Sequence, residues 1–349
     1  MKGQDVFDVT IIGGGPAGLY AAFYSGLRGM KTKLIEFQPH LGGKIHVYPE
    51  KMIWDVGGVT PTTGAKLIDQ LVEQGLTFDP TVVLGEKVEA MTKDHDGHFI
   101  LDGTHGRHVS KTVIVATGSG ILQPQKIEIS GAERFEVSNL HYTVKSLMRF
   151  KGKTVLISGG GNSAIDWANE LEPIAERVIL TYRKEALKGH ESQVEKLRCG
   201  RVDCRLSTRI NDLISRDGQM IHAVELLNCV TGDKEHVEVD EVVINHGYEQ
   251  DATLLGDSEL HVDMKDGFYV SGNARSESSV PGLYAAGDIL THDGKVHLIA
   301  GAFQDAANAV NSAKTFIDPE ATKAAMVSSH NERLKAKNQA IIEQTIIKQ

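Results

Sequence analysis

The sequence is poor in cysteine and has no long apolar run, and both absences exclude classes of protein. Its three cysteines, Cys199, Cys204 and Cys229, are odd in number and irregularly spaced, so neither a disulfide framework nor a zinc-binding pattern is predicted. No apolar stretch is long enough to cross a bilayer. The apolar segment Phe7–Ile12 begins too early for a signal peptide to precede it. We therefore expect a cytoplasmic protein that makes no membrane contact.

Positive charge is also scarce. The chain has 37 Lys and Arg against 46 Asp and Glu, a formal net charge of -9, which does not indicate a nucleic-acid-binding surface. A local basic patch for an acidic partner remains open. The 349 residues favour two domains. Glycine is abundant instead, with 36 residues, roughly a tenth of the chain against a usual ~7%. This excess is typical of a fold with many tight strand-to-helix turns.

The glycines fall in two β–α–β patterns, one at the start of the chain and one in the middle. Each pattern has an apolar strand, a glycine turn, a helix and a second strand. The predicted elements are the strand Phe7–Ile12, the helix Leu19–Leu27 and the strand Lys33–Ile35, then the strand Thr154–Ser158, the helix Asp166–Leu171 and the strand Arg177–Thr181. The repeat is one of architecture, and its period is too long for a solenoid.

The first glycine turn has the spacing of a dinucleotide-binding motif. It consists of Gly13, Gly14, Gly15, Pro16, Ala17 and Gly18. The first motif glycine permits a tight turn, the second lets the backbone approach a pyrophosphate, and the third allows close helix–strand packing. Glu36 ends the following strand, where a carboxylate accepts hydrogen bonds from ribose hydroxyls. This unit is therefore predicted to bind a nucleotide.

The second glycine turn is followed by a strand end of different chemistry. The turn contains Gly159, Gly161, Asn162, Ser163 and Ala164. Its second strand ends at Tyr182, Arg183 and Lys184. A carboxylate there would repel a 2′-phosphate, whereas Arg pairs with it bidentately and Tyr can flank the adenine. We therefore favour NADP over NAD at this site. The alternative is that Arg183 and Lys184 form a solvated turn.

Two later segments complete a family pattern. Val113–Gly118 is a strand that ends in a small-residue turn, and Val280–Asp288 is a strand that leads to a carboxylate. Together with the two glycine turns and Glu36, they resemble the flavoprotein reductases with two dinucleotide folds. The resemblance spans nearly the whole chain and implies that FAD and NADP are the cofactors. In that family Asp288 would bond the ribityl chain of FAD.

The resemblance implies an α/β fold of the thioredoxin-reductase-like kind, with two Rossmann-like dinucleotide-binding domains. An NADPH domain, residues 118–246, would be inserted into an FAD domain. The FAD domain would comprise residues 1–117 and 247–349, and its second segment would include a C-terminal extension. Homodimerisation is implied by the resemblance only.

The chain differs from thioredoxin reductases in its cysteines. Those enzymes have a redox Cys-x-x-Cys just before the second glycine turn, and this sequence has none. It is more similar to the thioredoxin-reductase-like ferredoxin/flavodoxin–NADP reductases. That similarity is carried by the segments Leu41–Lys44, His46–Pro49, Asp166–Ala168, Gly189–Glu191 and Ala302–Val310 and by the C-terminal extension.

The closer resemblance implies further flavin contacts. Tyr48 would stack on the isoalloxazine ring, although an aromatic residue of the core is the alternative. Ser329 would supply a hydroxyl contact from the C-terminal extension, where Val327 replaces the His often found in the family. The other implied FAD-binding positions are Gly43, Lys44, where Gln is frequent, Gly118, and Val88 and Leu122 through backbone atoms.

The resemblance implies a flavoenzyme that transfers electrons between NADPH and a ferredoxin or flavodoxin through FAD. The cofactors would carry the chemistry, so no catalytic acid or base is predicted. One alternative is an NAD(P)H-dependent quinone, sulfide or small-molecule reductase on the same scaffold, without disulfide chemistry. Another is a non-catalytic flavin or NADP sensor. No metal is predicted.

Overall fold

The computed structural model describes residues 5–120, 124–248, 253–256 and 258–347, and these form two compact units. Unit 1 takes its described residues from Met1–His46, Lys51–Ile121 and Gln250–Gln349. Unit 2 takes its described residues from Val47–Glu50 and Leu122–Glu249.

The helices and strands alternate along most of the chain. The helices are α1 (Pro16–Leu27), α2 (Gly64–Gly75), α3 (Asn162–Leu171), α4 (Glu191–Cys199), α5 (Thr253–Gly256), α6 (Ile299–Ile317) and α7 (Lys335–Ile347). The strands are β1 (Val6–Ile12), β2 (Thr32–Glu36), β3 (Met52–Ile53), β4 (Thr62–Thr63), β5 (Thr81–Leu84), β6 (Val88–Lys93), β7 (Phe99–Gly103), β8 (Arg107–Val115), β9 (Leu140–His141), β10 (Thr154–Ser158), β11 (Arg177–Tyr182), β12 (Asp203–Leu206), β13 (Thr208–Ile214), β14 (Ala223–Asn228), β15 (Lys234–Glu238), β16 (Glu241–Ile244), β17 (Met264–Lys265), β18 (Tyr269–Ser271), β19 (Leu283–Ala285) and β20 (Leu290–Thr291).

Unit 1 is built on a sheet whose strands run in the order β5-β2-β1-β8-β7-β6, with β19 paired to β8. Strands β5, β2, β1, β8 and β19 are parallel to their neighbours in this set, and helices α1 and α6 pack together beside them. Parallel strands end at a common edge, where ligands bind in open α/β sheets. The turns after β1, β8 and β19 therefore meet at one edge of unit 1.

Unit 2 contains a second, independent parallel sheet. Its strand order is β12-β11-β10-β16-β9, and helix α3 follows β10 as α1 follows β1. A separate antiparallel sheet of β13, β14 and β15 belongs to the same unit. The expected α/β architecture with two dinucleotide folds is therefore confirmed.

Some elements differ from those expected. The apolar pattern of Met220–Asn228 predicts a strand over that whole range, but β14 covers only Ala223–Asn228. Helix α2 was not predicted, although Thr63 caps it by accepting a hydrogen bond from the Lys66 N–H at 3.3 Å. Its apolar residues recur on one face that is buried, so the signal was present but fell between stronger glycine motifs.

The C-terminal extension is tied to the far end of α1. Arg333 donates a hydrogen bond to Gly26 O at 2.7 Å, and Asn331 donates to Leu27 O at 3.1 Å. Helix α7 follows directly. Within the described ranges, no helix has both the length and the apolar character needed to span a bilayer.

A buried carboxylate organises unit 2 at the amino end of β16. Glu241 accepts hydrogen bonds from Lys153 at 2.5 Å and Arg149 at 3.3 Å, and lies 2.6 Å from His141. Burial alone would raise the pKa of this carboxyl, but the bonds to His141 and Lys153, helped by Arg149, lower the pKa to about 2. The ionised form of Glu241 therefore stabilises the fold.

We expect Glu241→Gln to destabilise unit 2 by about 2 kcal/mol, because it replaces the charge-assisted hydrogen bonds of a buried carboxylate with weaker neutral ones. The pKa of the folded state is depressed below the ordinary 4.5, so the contribution is present above that pH. It is lost as the pH falls towards about 2. Thermal unfolding of both proteins across this range measures the difference.

The matched control is Glu225→Gln. Glu225 also has three partners, Lys234, Asn211 and His236, but its side chain is partly exposed, and solvent screens such pairs. Equal losses of thermal stability from the two substitutions would contradict the larger stabilising role given to Glu241.

Candidate cofactor-binding sites

The glycine turn after β1 is packed too tightly for any side chain. A β-carbon at Gly18 would lie 1.8 Å from Gly13 O, and one at Gly13 would lie 2.4 Å from Ala116 O. Gly13 also has a φ of +110°, a conformation that favours glycine. The predicted roles of the first and third glycines thus have a direct steric basis.

Glu36 lies beside this turn, as its position at the end of β2 predicted. One carboxylate oxygen accepts the Gly14 N–H at 2.5 Å, and the other accepts the Gln38 N–H at 2.7 Å. The side chain is buried and therefore held in one orientation. A carboxylate has about four lone-pair sites, so acceptor capacity remains for ribose hydroxyls.

The loop after β2 folds back over the glycine turn. Gly42 donates its N–H to Gly14 O at 2.9 Å. A β-carbon at Gly43 would lie only 2.6 Å from the Gly15 α-carbon, so two glycines face each other across the turn. Lys44 follows and is exposed. Because both facing residues lack side chains, the backbone of the turn stays open to a ligand.

The N-terminus of α1 provides donors for an anion. Pro16 is its first residue, and Ala17 and Gly18 are buried in its first turn. Within the described part of the chain, no side chain caps this end. The first N–H groups of a helix have no intrahelical acceptor, and together with the helix dipole they attract phosphate.

Two more turns meet the first at this edge. Gly118, with a φ of +62°, lies two residues beyond Ala116, whose carbonyl abuts Gly13. Asp288 lies in a 3₁₀ turn, Gly287–Ile289, just beyond β19. A β-carbon at Gly287 would lie 3.0 Å from the Ala17 side chain. The structure therefore brings Asp288 to the N-terminal end of α1.

The remaining positions implied by the resemblance lie in different parts of the structure. Val88 has its side chain in the core of unit 1, so only its backbone can face a ligand. Tyr48 belongs to unit 2 and packs against the apolar cluster around α3. Ser329 is exposed in the C-terminal extension, next to the segment tied to the far end of α1. Leu122 lies outside the described residues.

The turn after β10 in unit 2 is packed like the turn after β1 at its first glycine, but it is more open at its second. A β-carbon at Gly159 would lie 2.4 Å from Asn245 O, and 3.0 Å from the Ala164 side chain. Gly161 is exposed, and no described atom lies within 4 Å of the position its β-carbon would take. Asn162 and Ser163 are also exposed at the start of α3. The backbone around Gly161 is thus accessible to a pyrophosphate.

The strand end after β11 lies against this turn. A β-carbon at Gly160 would lie 2.3 Å from the Tyr182 ring, so the ring covers the turn. Arg183 and Lys184 follow and are exposed. Their side chains are therefore accessible to a ligand just beyond the end of β11.

One neighbouring residue was missed by the sequence reasoning. His246 follows β16, and its Nε2 lies 2.9 Å from Ser158 Oγ at the end of β10. Nearby protein atoms lower the pKa of His246 by excluding water from its ring, and the Arg183 guanidinium lowers it further. The apolar pattern of Glu241–Asn245 predicts a strand, and His246 follows its end directly, so the sequence did carry a signal for this position.

The cysteines do not form a redox pair. All three are described, free and exposed. A hydrogen bond to Glu195 raises the pKa of Cys199, and the protein atoms around the Cys204 thiol raise its pKa by displacing water from it. Reactive thiols have lowered pKa values, so the environment of both residues opposes dithiol chemistry.

Two dinucleotide folds with these turns define a class of protein. The family model described as pyridine nucleotide-disulphide oxidoreductase matches residues 7–313, and the chain belongs to this family. "Ferredoxin--NADP reductase 1" of Bacillus mycoides is 66% identical over 346 residues, which is 99% of each chain. "Ferredoxin--NADP reductase 2" of Exiguobacterium sibiricum is 66% identical over 348 residues, also 99% of each.

Solved structures support the fold. Thioredoxin reductase of T. acidophilum superposes with a TM-score of 0.75 at 24% identity, covering 89% of this chain and 99% of its own. Thioredoxin reductase of Lactococcus lactis gives a TM-score of 0.74 at the same identity and coverage. At this level of identity the likeness concerns the fold alone.

Proposed function

We propose that the chain is an FAD-dependent reductase that transfers electrons between NADPH and a ferredoxin or flavodoxin. The observation that carries the proposal is the contrast between two dinucleotide turns. Glu36 lies beside the first, and Tyr182 lies beside the second and is followed by the exposed Arg183. The relatives that are 66% identical over nearly the full length bear the name of this reaction.

The residues of unit 1 fit FAD. The edge joins a turn of bare backbone, a buried carboxylate at Glu36 and a second carboxylate at Asp288. The backbone turn suits the pyrophosphate of FAD, the Glu36 carboxylate suits its ribose, and the Asp288 carboxylate suits its ribityl chain. We propose that residues 1–117 and 247–349 hold FAD and that residues 118–246 hold NADPH.

The tasks of the protein are binding and alignment. Bound FAD would supply the exchange between two-electron hydride transfer and single-electron transfer. The α1 and α3 N-termini would hold the pyrophosphates, and Arg183 would pair with the 2′-phosphate. No described side chain is required as a general acid or base.

The test is the visible spectrum of the purified protein, recorded alone, with NADPH and then with ferredoxin. We expect a flavin spectrum that NADPH bleaches and that oxidised ferredoxin restores without oxygen. Restoration by quinones but not by ferredoxin or flavodoxin would favour the small-molecule reductase. A flavin that NADPH does not bleach would favour a sensor.

We further propose a homodimer in which Ser329 contacts the flavin of the second copy. Within one chain, the extension is tied to the C-terminal end of α1. This helix has 12 residues and is about 18 Å long, so Ser329 is remote from its own phosphate-binding turn. A dimer would let the Ser329 hydroxyl contact a flavin although Ser329 lies far from the phosphate-binding turn of its own chain.

We expect light scattering to give twice the chain mass of 38.0 kDa. Ser329→Ala should weaken FAD binding by about threefold, the loss of one neutral hydrogen bond. Ser328→Ala, in the same 3₁₀ turn, is the control and should leave affinity unchanged. A monomeric wild-type protein that retains FAD would contradict this arrangement.

A further inference from the structure

A buried ion pair in unit 1 has no role in the function proposed above. Lys295 forms a salt bridge with Asp305 on α6, and their side chains are only 4% and 7% exposed. Removing two such charges from water is costly, and an apolar pair of similar volume often stabilises a fold as well or better. Stability alone therefore gives no reason for charged residues here.

The same carboxylate holds the turn that carries Asp288. Asp305 Oδ2 accepts the Gly287 N–H at 3.1 Å. The position that a β-carbon of Gly287 would take lies 3.0 Å from the Ala17 side chain of α1. The turn is thus clamped between the first residues of α1 and the carboxylate of α6.

Asp305 also closes the loop that follows this turn. The loop begins at Gly287, which contacts Asp305, runs through β20 and ends at Lys295, which contacts the same carboxylate. His292, between them, lies 3.8 Å from the other carboxylate oxygen. The Asp305 backbone carbonyl is itself held by Ser276 Oγ at 2.9 Å. A single carboxylate therefore fixes both ends of the loop that contains Asp288.

We propose that Asp305 is a positioning residue for FAD, which sets the Gly287–Asp288 turn so that Asp288 meets the ribityl chain. Lys295 balances the buried charge of Asp305 and leaves it a strong acceptor for the Gly287 N–H. Hydrogen bonds to ionised acceptors are about twice as strong as neutral ones. The inference rests on the proposed binding of FAD in unit 1.

The first test compares FAD affinity after both charges are removed. Asp305→Asn with Lys295→Met keeps an acceptor for Gly287 and leaves no charge unpaired. We expect the dissociation constant of FAD, titrated into the apoprotein, to rise about tenfold, the difference between a charged and a neutral hydrogen bond. The circular dichroism of the bound flavin should change as well, because the ribityl chain is held differently.

The matched control is Glu241→Gln, which also neutralises a buried, ion-paired carboxylate, but in unit 2. It should reduce thermal stability and leave the FAD dissociation constant within about twofold. A general loss of stability would instead weaken FAD binding in both variants, which would overturn the positioning role.

The second test asks whether Asp305 acts through Asp288. In a double-mutant cycle of Asp305→Asn and Asp288→Asn, the effect of the first substitution on FAD affinity should largely disappear once Asp288 is replaced. Lys295→Met accompanies Asp305→Asn wherever that substitution occurs in the cycle, because an uncharged pair keeps the fold, whereas Asp305→Asn alone would leave the buried Lys295 ammonium without a counter-charge.

The outcomes separate the inference from the proposed function. A wild-type protein that binds no FAD sinks the proposed function itself. Wild-type FAD binding with unchanged affinity in the neutralised variant, or additive effects in the cycle, overturns the positioning role alone. Weaker binding that depends on Asp288 supports it.

Discussion

Arg183→Gln should weaken NADPH binding by about 30-fold while leaving NADH binding almost unchanged. The expected loss corresponds to about 2 kcal/mol for charge-assisted hydrogen bonds to a phosphate. Arg183 is exposed directly after Tyr182, whose ring covers the turn at Gly160. The proposed binding mode has the Arg183 guanidinium pair with the adenosine 2′-phosphate.

The measurement is the dissociation constant of each nucleotide, from titration of the protein. Arg177→Gln is the control, because Arg177 is at the other end of β11 and pairs with Asp203. It should leave both affinities unchanged. Equal NADPH affinity in the Arg183 variant would show that Arg183 and Lys184 form a solvated turn, which was the alternative from the sequence.

Gly18→Ala should abolish FAD binding. The new β-carbon would lie 1.8 Å from Gly13 O, and neither position can yield, because Gly13 is itself pressed against Ala116. The turn would have to open, which removes the aligned N–H groups at the start of α1. We expect a protein purified with less than about a tenth of the wild-type flavin, as such strain exceeds 1.4 kcal/mol.

The flavin-to-protein ratio, read from absorbance, checks this result. Gly106→Ala is the matched control in unit 1, since no described atom lies within 4 Å of its β-carbon position. Full flavin content in the Gly18 variant would mean that the turn tolerates a side chain. The turn in unit 2 has alanine at the corresponding position, since the Ala164 side chain lies 3.0 Å from the β-carbon position of Gly159.

The features predicted most fully were those encoded within a few neighbouring residues. Glycine spacing located both turns, and the residues that end the second strands, Glu36 and Tyr182, lie beside them. Parallel strands end at one edge, so the strand order alone carried these residues to the ligand side. Short strands such as β3 and β4, with two residues each, are below the length at which periodicity is readable.

Contacts between distant segments could not be predicted in this way. The pairing of Ser158 with His246 joins residues 88 apart, and the clamp from Asp305 to Gly287 spans 18. Their partners are ordinary polar residues without a local motif. Ser329 shows the same limit, because no local motif indicates that its segment lies by the far end of α1.

The sequence by itself determined the two dinucleotide folds, the contrast between their strand ends and the lack of a redox dithiol. These depend on local sterics and residue chemistry, which a short segment carries with it. Only the tertiary structure decided that Gly43 faces Gly15, that Asp305 fixes the turn of Asp288 and that the extension lies against α1. Those contacts form when separate segments pack into one core, and their energies depend on burial and distance.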